Sequence, residues 1–415
     1  RMRRPKPSSA FILAFSTDSS GATYVAAREE SLPAPESVTS AGDLLATTGR
    51  LQSWPGGADM VVVTSPLFHD ALRPLIAARE SEGLRVALVD VDDVFAAFSA
   101  GQPTPAAIRA LVLRALTAWD PPAPRYLLLA GDASYDPHDY LHAPERNLIP
   151  TQLVDTTYTG WTASDVWFSL PDDGIASLPQ IAVGRFPAQT VVQMAAMVQK
   201  TLRYAEKSDV GAANGDGSLS WRDTMLLVAD NDDPGFAAVA DEFGNRLSRY
   251  ALEEVRVEGD GTAAHEQLLR TISGGVGLVG YFGHGSVGLW AQEKIFSVED
   301  AEGLRNGDRL PLLLTATCLS GFFQHPEVVS LGEAMVRQES GGAVAALVPS
   351  SAGILSDQQL LTDRLADAIQ AASHGDNKLG DLLLTAQRSL PGSAEGVRQT
   401  LLTFNLLGDP SLPFP

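Results

Sequence analysis

The sequence predicts an α/β protein made of two successive parallel-sheet subdomains, with a short β-type segment ahead of them. Three observations predict it. From about residue 58 onward, short apolar runs alternate with helix-length amphipathic stretches. The runs are apolar throughout instead of alternating with polar residues, as strands covered on both faces of a parallel sheet are. A stretch rich in Gly, Ser and Asp, residues 207–221, interrupts the alternation half-way and reads as a linker.

Residues 1–57 carry two strand-like runs, 11–15 and 23–26, in a Ser-, Pro- and Gly-rich background. That is the pattern of the tail of a preceding β domain followed by a linker. The first α/β subdomain is expected over 58–215. Its strands are 60–63, 84–89, 126–130 and 181–183. Ser65-Pro66 opens a helix that Gly83 closes, and Thr104-Pro105 opens another that runs to about Trp119. A looser region, 132–180, precedes a helix over about 188–206. The second subdomain is expected over 216–415, with strands at 224–229, 276–282, 312–317 and 343–348. Helical periodicity marks 234–249, 261–273, 356–373 and 377–390. No fixed-period repeat is present.

Composition narrows the function classes. At 415 residues the chain exceeds what one core usually supports. The formal net charge of −20 repels phosphate backbones and argues against nucleic acid as a partner. No apolar run is long enough to span a membrane. A single cysteine permits no internal disulfide. The chain opens Arg1-Met2-Arg3 with no apolar stretch behind the basic cluster. The expectation is therefore a piece of a longer bacterial precursor, secreted or displayed at the cell surface, with any signal peptide already removed.

The sharpest chemical signal is a pair of strand ends. One strand breaks at Gly283-His284-Gly285-Ser286 and the next ends at Thr317-Cys318-Leu319-Ser320-Gly321. The interval between His284 and Cys318 admits one crossover with a short helix near 298–305. If the two strands are parallel neighbours, both side chains leave the sheet at its carboxyl edge, where open α/β sheets hold their sites. A thiol is mostly protonated at neutral pH, and an imidazole beside it stabilises the thiolate and later protonates a leaving amine. Glycines flanking His284 permit close approach of a substrate backbone. The amides of Gly285 and Cys318 are placed to form an oxyanion hole.

These residues resemble the gingipain-type cysteine peptidases. Gly283-His284-Gly285-Ser286 with Trp290 is similar to that family's histidine motif, and 315–322, Thr-Ala-Thr-Cys-Leu-Ser-Gly-Phe, to its nucleophile motif. The segments 129–136, 183–187 and 404–411 follow in the expected order. The resemblance spans roughly 58–415. It implies a caspase-like second subdomain, protein or peptide substrates, hydrolysis through a Cys318 thioester with His284 as acid and base, and no cofactor for catalysis. It also implies an orienting third residue just ahead of the Gly-Arg strand. Gln180 stands where the family carries glutamate, leaving a dyad, or Asp172 or Asp173 as the substitute. Relatives that contain calcium extend this to a structural Ca2+ at Asp230, Asp232 and Asp233, or at Asp132 and Asp136.

Trp290 and Phe322 are candidate walls of the substrate pocket. His138 and His142 have zinc-pair spacing, but prolines flank them and no glutamate follows His138, so solvated loop histidines are expected. Gingipains cut after basic residues. Here no acid stands between Arg185 and Glu206, between Cys318 and Glu327, or within 287–290. The sequence therefore predicts a pocket for an uncharged or apolar residue. Two alternatives share these residues: a sortase-like transpeptidase on the same core, and a non-catalytic binding module.

Overall fold

The computed structural model describes residues 41–174, 176–206, 220–372, 377–392 and 394–414. The strand-like runs at 11–15 and 23–26, and nearly all of the expected linker, lie outside the described residues. The chain divides into Arg1–Ala41 and Gly42–Pro415, and the second unit holds every element of the sheet and its covering helices.

Ten strands form one sheet. In chain order the strands are β1 (Met60–Thr64), β2 (Val86–Asp90), β3 (Tyr126–Ala130), β4 (Gln152–Thr156), β5 (Gly160–Ser164), β6 (Ala182–Phe186), β7 (Thr224–Ala229) and β8 (Ala251–Arg256). Then follow β9 (Leu278–Phe282), β10 (Leu289–Trp290), β11 (Phe296–Ser297), β12 (Leu312–Ala316), β13 (Ala345–Pro349) and β14 (Phe404–Leu407). The sheet order is β2-β1-β3-β6-β14-β13-β12-β9-β7-β8, while β4–β5 and β10–β11 are separate two-stranded ribbons. All pairings within the sheet are parallel except β13 with β14. The two α/β halves are thus one continuous sheet, joined by the last strand, and their strands run in opposite directions. The carboxyl ends of β3 and β6 lie at one edge. Those of β7, β9 and β12 lie at the other.

The central strands β3, β6, β9, β12 and β13 are buried at every position, which is why most of them read as unbroken apolar runs. Helices cover both faces. Their starts follow local chemistry: Thr104 and Asp233 cap helices whose first residue is proline. Ser330 with Glu333, and Ser297 with Asp300, form capping boxes.

Several elements differ from the sequence reading. Residues 41–53 form a helix where linker was expected, since Leu51 is buried and its carbonyl accepts from the Trp119 indole at 2.8 Å. The expected strand 181–183 extends to Phe186 through a fully buried Arg185, whose charge interrupts the apolar pattern. Asp165 neutralises it with two hydrogen bonds, at 2.7 and 2.8 Å. β8 carries no apolar run to betray it, because it is an edge strand with exposed Leu252, Glu253 and Glu254. β14 lies within a segment that the sequence marked as a motif without assigning it a strand.

Candidate active site

β9 and β12 are parallel neighbours in register, ending at the pair Phe282–Ala316. His284 and Cys318 each stand two residues beyond that pair, in the same phase of the pleat, at the same sheet edge. The ladder continues past the strands, since Gly283 N–H donates to the Ala316 carbonyl at 3.3 Å. Gly285 lies against the nucleophile strand as well, and any side chain there would collide with Thr317 Oγ1 and touch the Cys318 carbonyl. Glycine at 285 is required by that approach.

The backbone of His284 is held on both sides. Its N–H donates to Asp230 Oδ2 at 3.0 Å. Its carbonyl accepts from the Tyr281 hydroxyl at 2.5 Å and from Ala291 N–H at 2.9 Å. Tyr281 is itself fixed by a parallel stack on Trp290, with centroids 4.3 Å apart. Burial, with Asp230 nearby, pushes the Tyr281 phenol well above its ordinary range, so it remains a donor. Phe236 packs perpendicular to the His284 imidazole with centroids 5.0 Å apart. The imidazole is exposed and, among the described residues, donates no hydrogen bond to a carboxylate and forms no ion pair with one.

Cys318 is half-buried, its Sγ 3.9 Å from the Gly353 carbonyl. The following residue, Leu319, has φ of 60°, a strained left-handed conformation for a residue with a side chain. It turns the chain off β12, and Leu319 N–H meets the Ser351 carbonyl at 3.3 Å. Gln358 holds the strand end by donating to the Thr317 carbonyl at 2.7 Å. The N–H groups of Gly285 and Cys318 donate to no group among the described residues. Gly285 sits at the position of its bridge with Trp290 where neither of its own backbone groups is paired.

The other residues singled out from the sequence fall elsewhere or take other parts. Gln180 is exposed, and its amide donates to the Leu178 carbonyl at 3.2 Å. It precedes β6, which β14, β13 and β12 separate from β9, so it does not orient His284. Asp173 pairs with Arg109 at 2.6 Å and Asp172 caps Gly174 at 2.8 Å, which removes both as substitutes. Trp290 has no accessible surface: it supports the histidine turn from within the core and walls no open pocket. Phe322 is half-buried, 6.1 Å from the His325 ring. His138 and His142 are exposed. The segment after Arg185 leaves the sheet at the edge opposite His284.

Among the described residues, neither acidic cluster brings three of its own carboxylates together at one point. Asp230 accepts from its own loop at Asn231 N, 2.7 Å, besides His284 N, and Asp233 caps Gly235. Asp232 joins them in no shared site. Asp136 accepts from Leu141 N–H at 2.7 Å. Asp132 belongs to a trio with Glu145 and Glu333 close enough to share an ion, but the Arg337 guanidinium occupies its centre, 2.5, 3.0 and 2.8 Å from the three carboxylates. Sequence reasoning placed Asp230 only in a calcium cluster and passed over Tyr281, Phe236 and Thr317. The pairing of β7 with β9, which sets Ala229 beside Phe282 and so brings Asp230 to the histidine turn, is the missing information.

The family model for Peptidase family C25 matches residues 53–415. The chain belongs to this family of cysteine-type peptidases. It is 22% identical over 247 residues to Gingipain R2 of Porphyromonas gingivalis, covering 56% of this chain and 32% of that protein. Gingipain R1 of the same species is equally similar, with 24% of its length covered. The chain thus aligns with a third or less of these curated relatives. Among solved structures, the Arg-specific cysteine proteinase gingipain R superposes with a TM-score of 0.70 at 18% identity, over 86% of this chain and 78% of that one. The complex of Porphyromonas gingivalis pro- and mature domains matches with the same score and identity, over 86% and 79%. These likenesses establish the caspase-like fold of the C25 peptidases. No helix among the described residues is long and apolar enough to cross a membrane.

Proposed function

We propose that the chain is a cysteine endopeptidase in which Cys318 is the nucleophile and His284 its acid–base partner. The observation that carries this reading is the register of β9 and β12, which sends both residues off the same sheet edge at equal distance past their last paired residues. His284 takes the thiol proton, and the Cys318 thiolate attacks the scissile carbonyl. The carbonyl electron pair moves to oxygen, where the uncommitted N–H groups of Gly285 and Cys318 receive it. Collapse breaks the C–N bond, and His284 returns the proton to the leaving amine. Water, deprotonated by His284, then hydrolyses the thioester. Asp230 and Tyr281 hold the backbone of His284 and so fix where the imidazole emerges. With no carboxylate on the ring among the described residues, the unit works as a dyad. The reading carries with it protein or peptide substrates, a longer precursor, and secretion or surface display.

The test is peptide-library cleavage with Cys318→Ala and His284→Ala controls and a thiol-directed active-site reagent. Cleavage should vanish in both variants, and the reagent should mark Cys318 in the parent. Persistent hydrolysis in Cys318→Ala would overturn the reading. An added amine nucleophile separates hydrolysis from transpeptidation by its products.

A further inference from the structure

The β4–β5 ribbon belongs to the first half of the chain, yet its tip is fastened at the edge from which Cys318 emerges. A three-residue loop, Thr157-Tyr158-Thr159, closes the ribbon, and Gly160 at φ of 73° makes the turn. Both threonines are anchored. Thr157 N–H donates to Gln399 Oε1 at 3.1 Å, and Gln399 Nε2 donates to the Thr157 hydroxyl at 2.8 Å. Thr159 Oγ1 accepts from Ala352 N–H at 2.8 Å, one residue ahead of the Gly353 whose carbonyl stands 3.9 Å from Cys318 Sγ. Further down the ribbon, the Thr162 hydroxyl donates to the Ser350 carbonyl, and Ser350 Oγ donates to the Ala163 carbonyl at 2.6 Å. Tyr158, between the two anchors, is 61% exposed and stands beside Gly353 and Ile354, the latter 47% exposed. Turn tips ordinarily carry Gly, Asn, Asp or Ser, and a large aromatic side chain held out at an anchored tip gains little from folding.

We propose that Tyr158 is a specificity residue that packs against an apolar or aromatic side chain at the third residue before the cut. This rests on the Cys318–His284 reading above. His284 must reach the leaving nitrogen, and it stands on the β9 side of the nucleophile strand. The half of the substrate after the cut therefore runs toward β9. The half that becomes the thioester runs the other way, toward the chain that follows β13. That chain is 350–354. Tyr158 lines one small cavity with Gly353, Ile354 and Phe404, the first residue of β14 and so one strand further on. Two strand spacings are about 10 Å, the reach of about three residues of extended chain. The ring offers a large contact face with few rotatable bonds. Its backbone is fixed on both sides before substrate arrives, so little further order is lost on binding. Ile354 extends the apolar surface toward Gly353.

The experiment measures kcat/KM for two peptides that differ only in Phe or Gly at the third residue before the cut, with the parent, Tyr158→Ala and Tyr158→Phe. The parent should favour the Phe peptide by about tenfold, carried by KM more than by kcat. Tyr158→Ala should bring that ratio below about threefold. Tyr158→Phe should keep it within about twofold of the parent's, because the ring face makes the contact. Damage to the fold lowers both peptides together and leaves the ratio alone, so the ratio separates recognition from structure. A parent ratio near one overturns the assignment, and so does a ratio that survives Tyr158→Ala. The same Phe–Gly exchange is then made after the cut. A preference there that Tyr158→Ala removes assigns the ribbon tip to the leaving half and overturns the proposal as well. If the parent cleaves neither peptide in a Cys318-dependent way, the dyad reading has failed and the assignment falls with it. Cleavage that Cys318→Ala abolishes, with no ratio that depends on Tyr158, fails the assignment alone.

Discussion

At one edge of the sheet, where β3 and β6 end, charged side chains are buried and mutually committed. Arg337 reaches Asp132, Glu145 and Glu333, its Nε donates to the Pro187 carbonyl at 2.6 Å, and Gln189 donates to Asp132 at 3.0 Å. At the other edge, where β9 and β12 end, the groups that matter are uncommitted among the described residues: two backbone N–H groups and an exposed imidazole. Both edges are carboxyl ends of parallel strands followed by polar turns. One is filled by its own side chains and stabilises the fold. The other leaves donors for something that arrives later. Polar residues at a strand end therefore say little about function until their partners are known.

The difference between the edges predicts a division between stability and activity. Arg337→Leu leaves three carboxylates together without their cation. It should cost about 3–5 kcal/mol of stability, the usual penalty for stranding a buried charge. Chemical denaturation checks it. Cys318→Ala, at the open edge, should abolish cleavage while shifting stability by less than about 1 kcal/mol. An Arg337→Leu protein as stable as the parent would undo the contrast.

The same cluster should give the stability a pH dependence of its own. Burial pushes the Glu333 carboxyl up to about 8, with repulsion from Asp132 adding to it and the Arg337 guanidinium only partly offsetting it, and Glu145 is raised for the same reasons. A carboxyl whose folded value is raised favours the protonated form in the fold. Its contribution is therefore complete below the ordinary carboxylate range and is lost as pH rises through about 8. Glu333→Gln should remove that decline, an effect on the order of a few kcal/mol across the window. The measurement is unfolding free energy against pH for parent and variant. Parallel curves would show that Glu333 is ionised throughout.

Calcium tests the contrast from another side. The carboxylates of the locked edge surround a guanidinium, and Asp230 and Asp233 at the open edge accept from backbone amides. Melting temperatures in chelator and in millimolar calcium should agree to within about 1 °C, since an ion that binds the native state alone would raise them. A larger rise would locate a site built from other oxygens.

How much of this was legible in the sequence follows from what each residue's neighbours are. His284 and Cys318 could be read because strand, glycine turn and nucleophile are local patterns. Most central strands could be read because burial on both faces leaves no polar residue to confuse the run. Asp230 was visible as an acid but not as the support of His284, since that role exists only through the pairing of β7 with β9. Gln180 misled because closeness to a motif in sequence is not closeness across a sheet: three strands intervene. Asp132 suggested a cation and did find one, supplied by Arg337 from 205 residues away. β14 joins the two halves of the sheet from the far end of the chain, a contact no window of sequence contains.

The smallest effect expected concerns which side chain the open edge accepts before the cut. Two of the acids near enough in sequence to serve a basic pocket are spent: Asp165 on Arg185 and Asp173 on Arg109. Near the dyad stand Leu319, next after Cys318, Phe236 against the His284 ring, and Ile354, next after the Gly353 whose carbonyl faces Sγ, all of them apolar. Asp357 is the exception. It is half-buried, beside Tyr158, Gln399 and Gly353, and it leans over Gly396, whose lack of a side chain makes room for the carboxylate. The small cavity there, about 20 Å³, holds no more than a water-sized group, too little for an arginine side chain. Peptides differing only at the residue before the cut should therefore show Leu, Met or Phe equal to or better than Arg and Lys, and Asp357→Asn should change kcat/KM for any of them by less than about threefold. If Arg or Lys wins by more than about tenfold, roughly 1.4 kcal/mol of transition-state preference, and Asp357→Asn removes the advantage, the cavity opens on binding and Asp357 is its charge. If the advantage survives Asp357→Asn, the selecting carboxylate lies elsewhere along the same edge, and Asp232, two residues beyond Asp230, is the next to substitute.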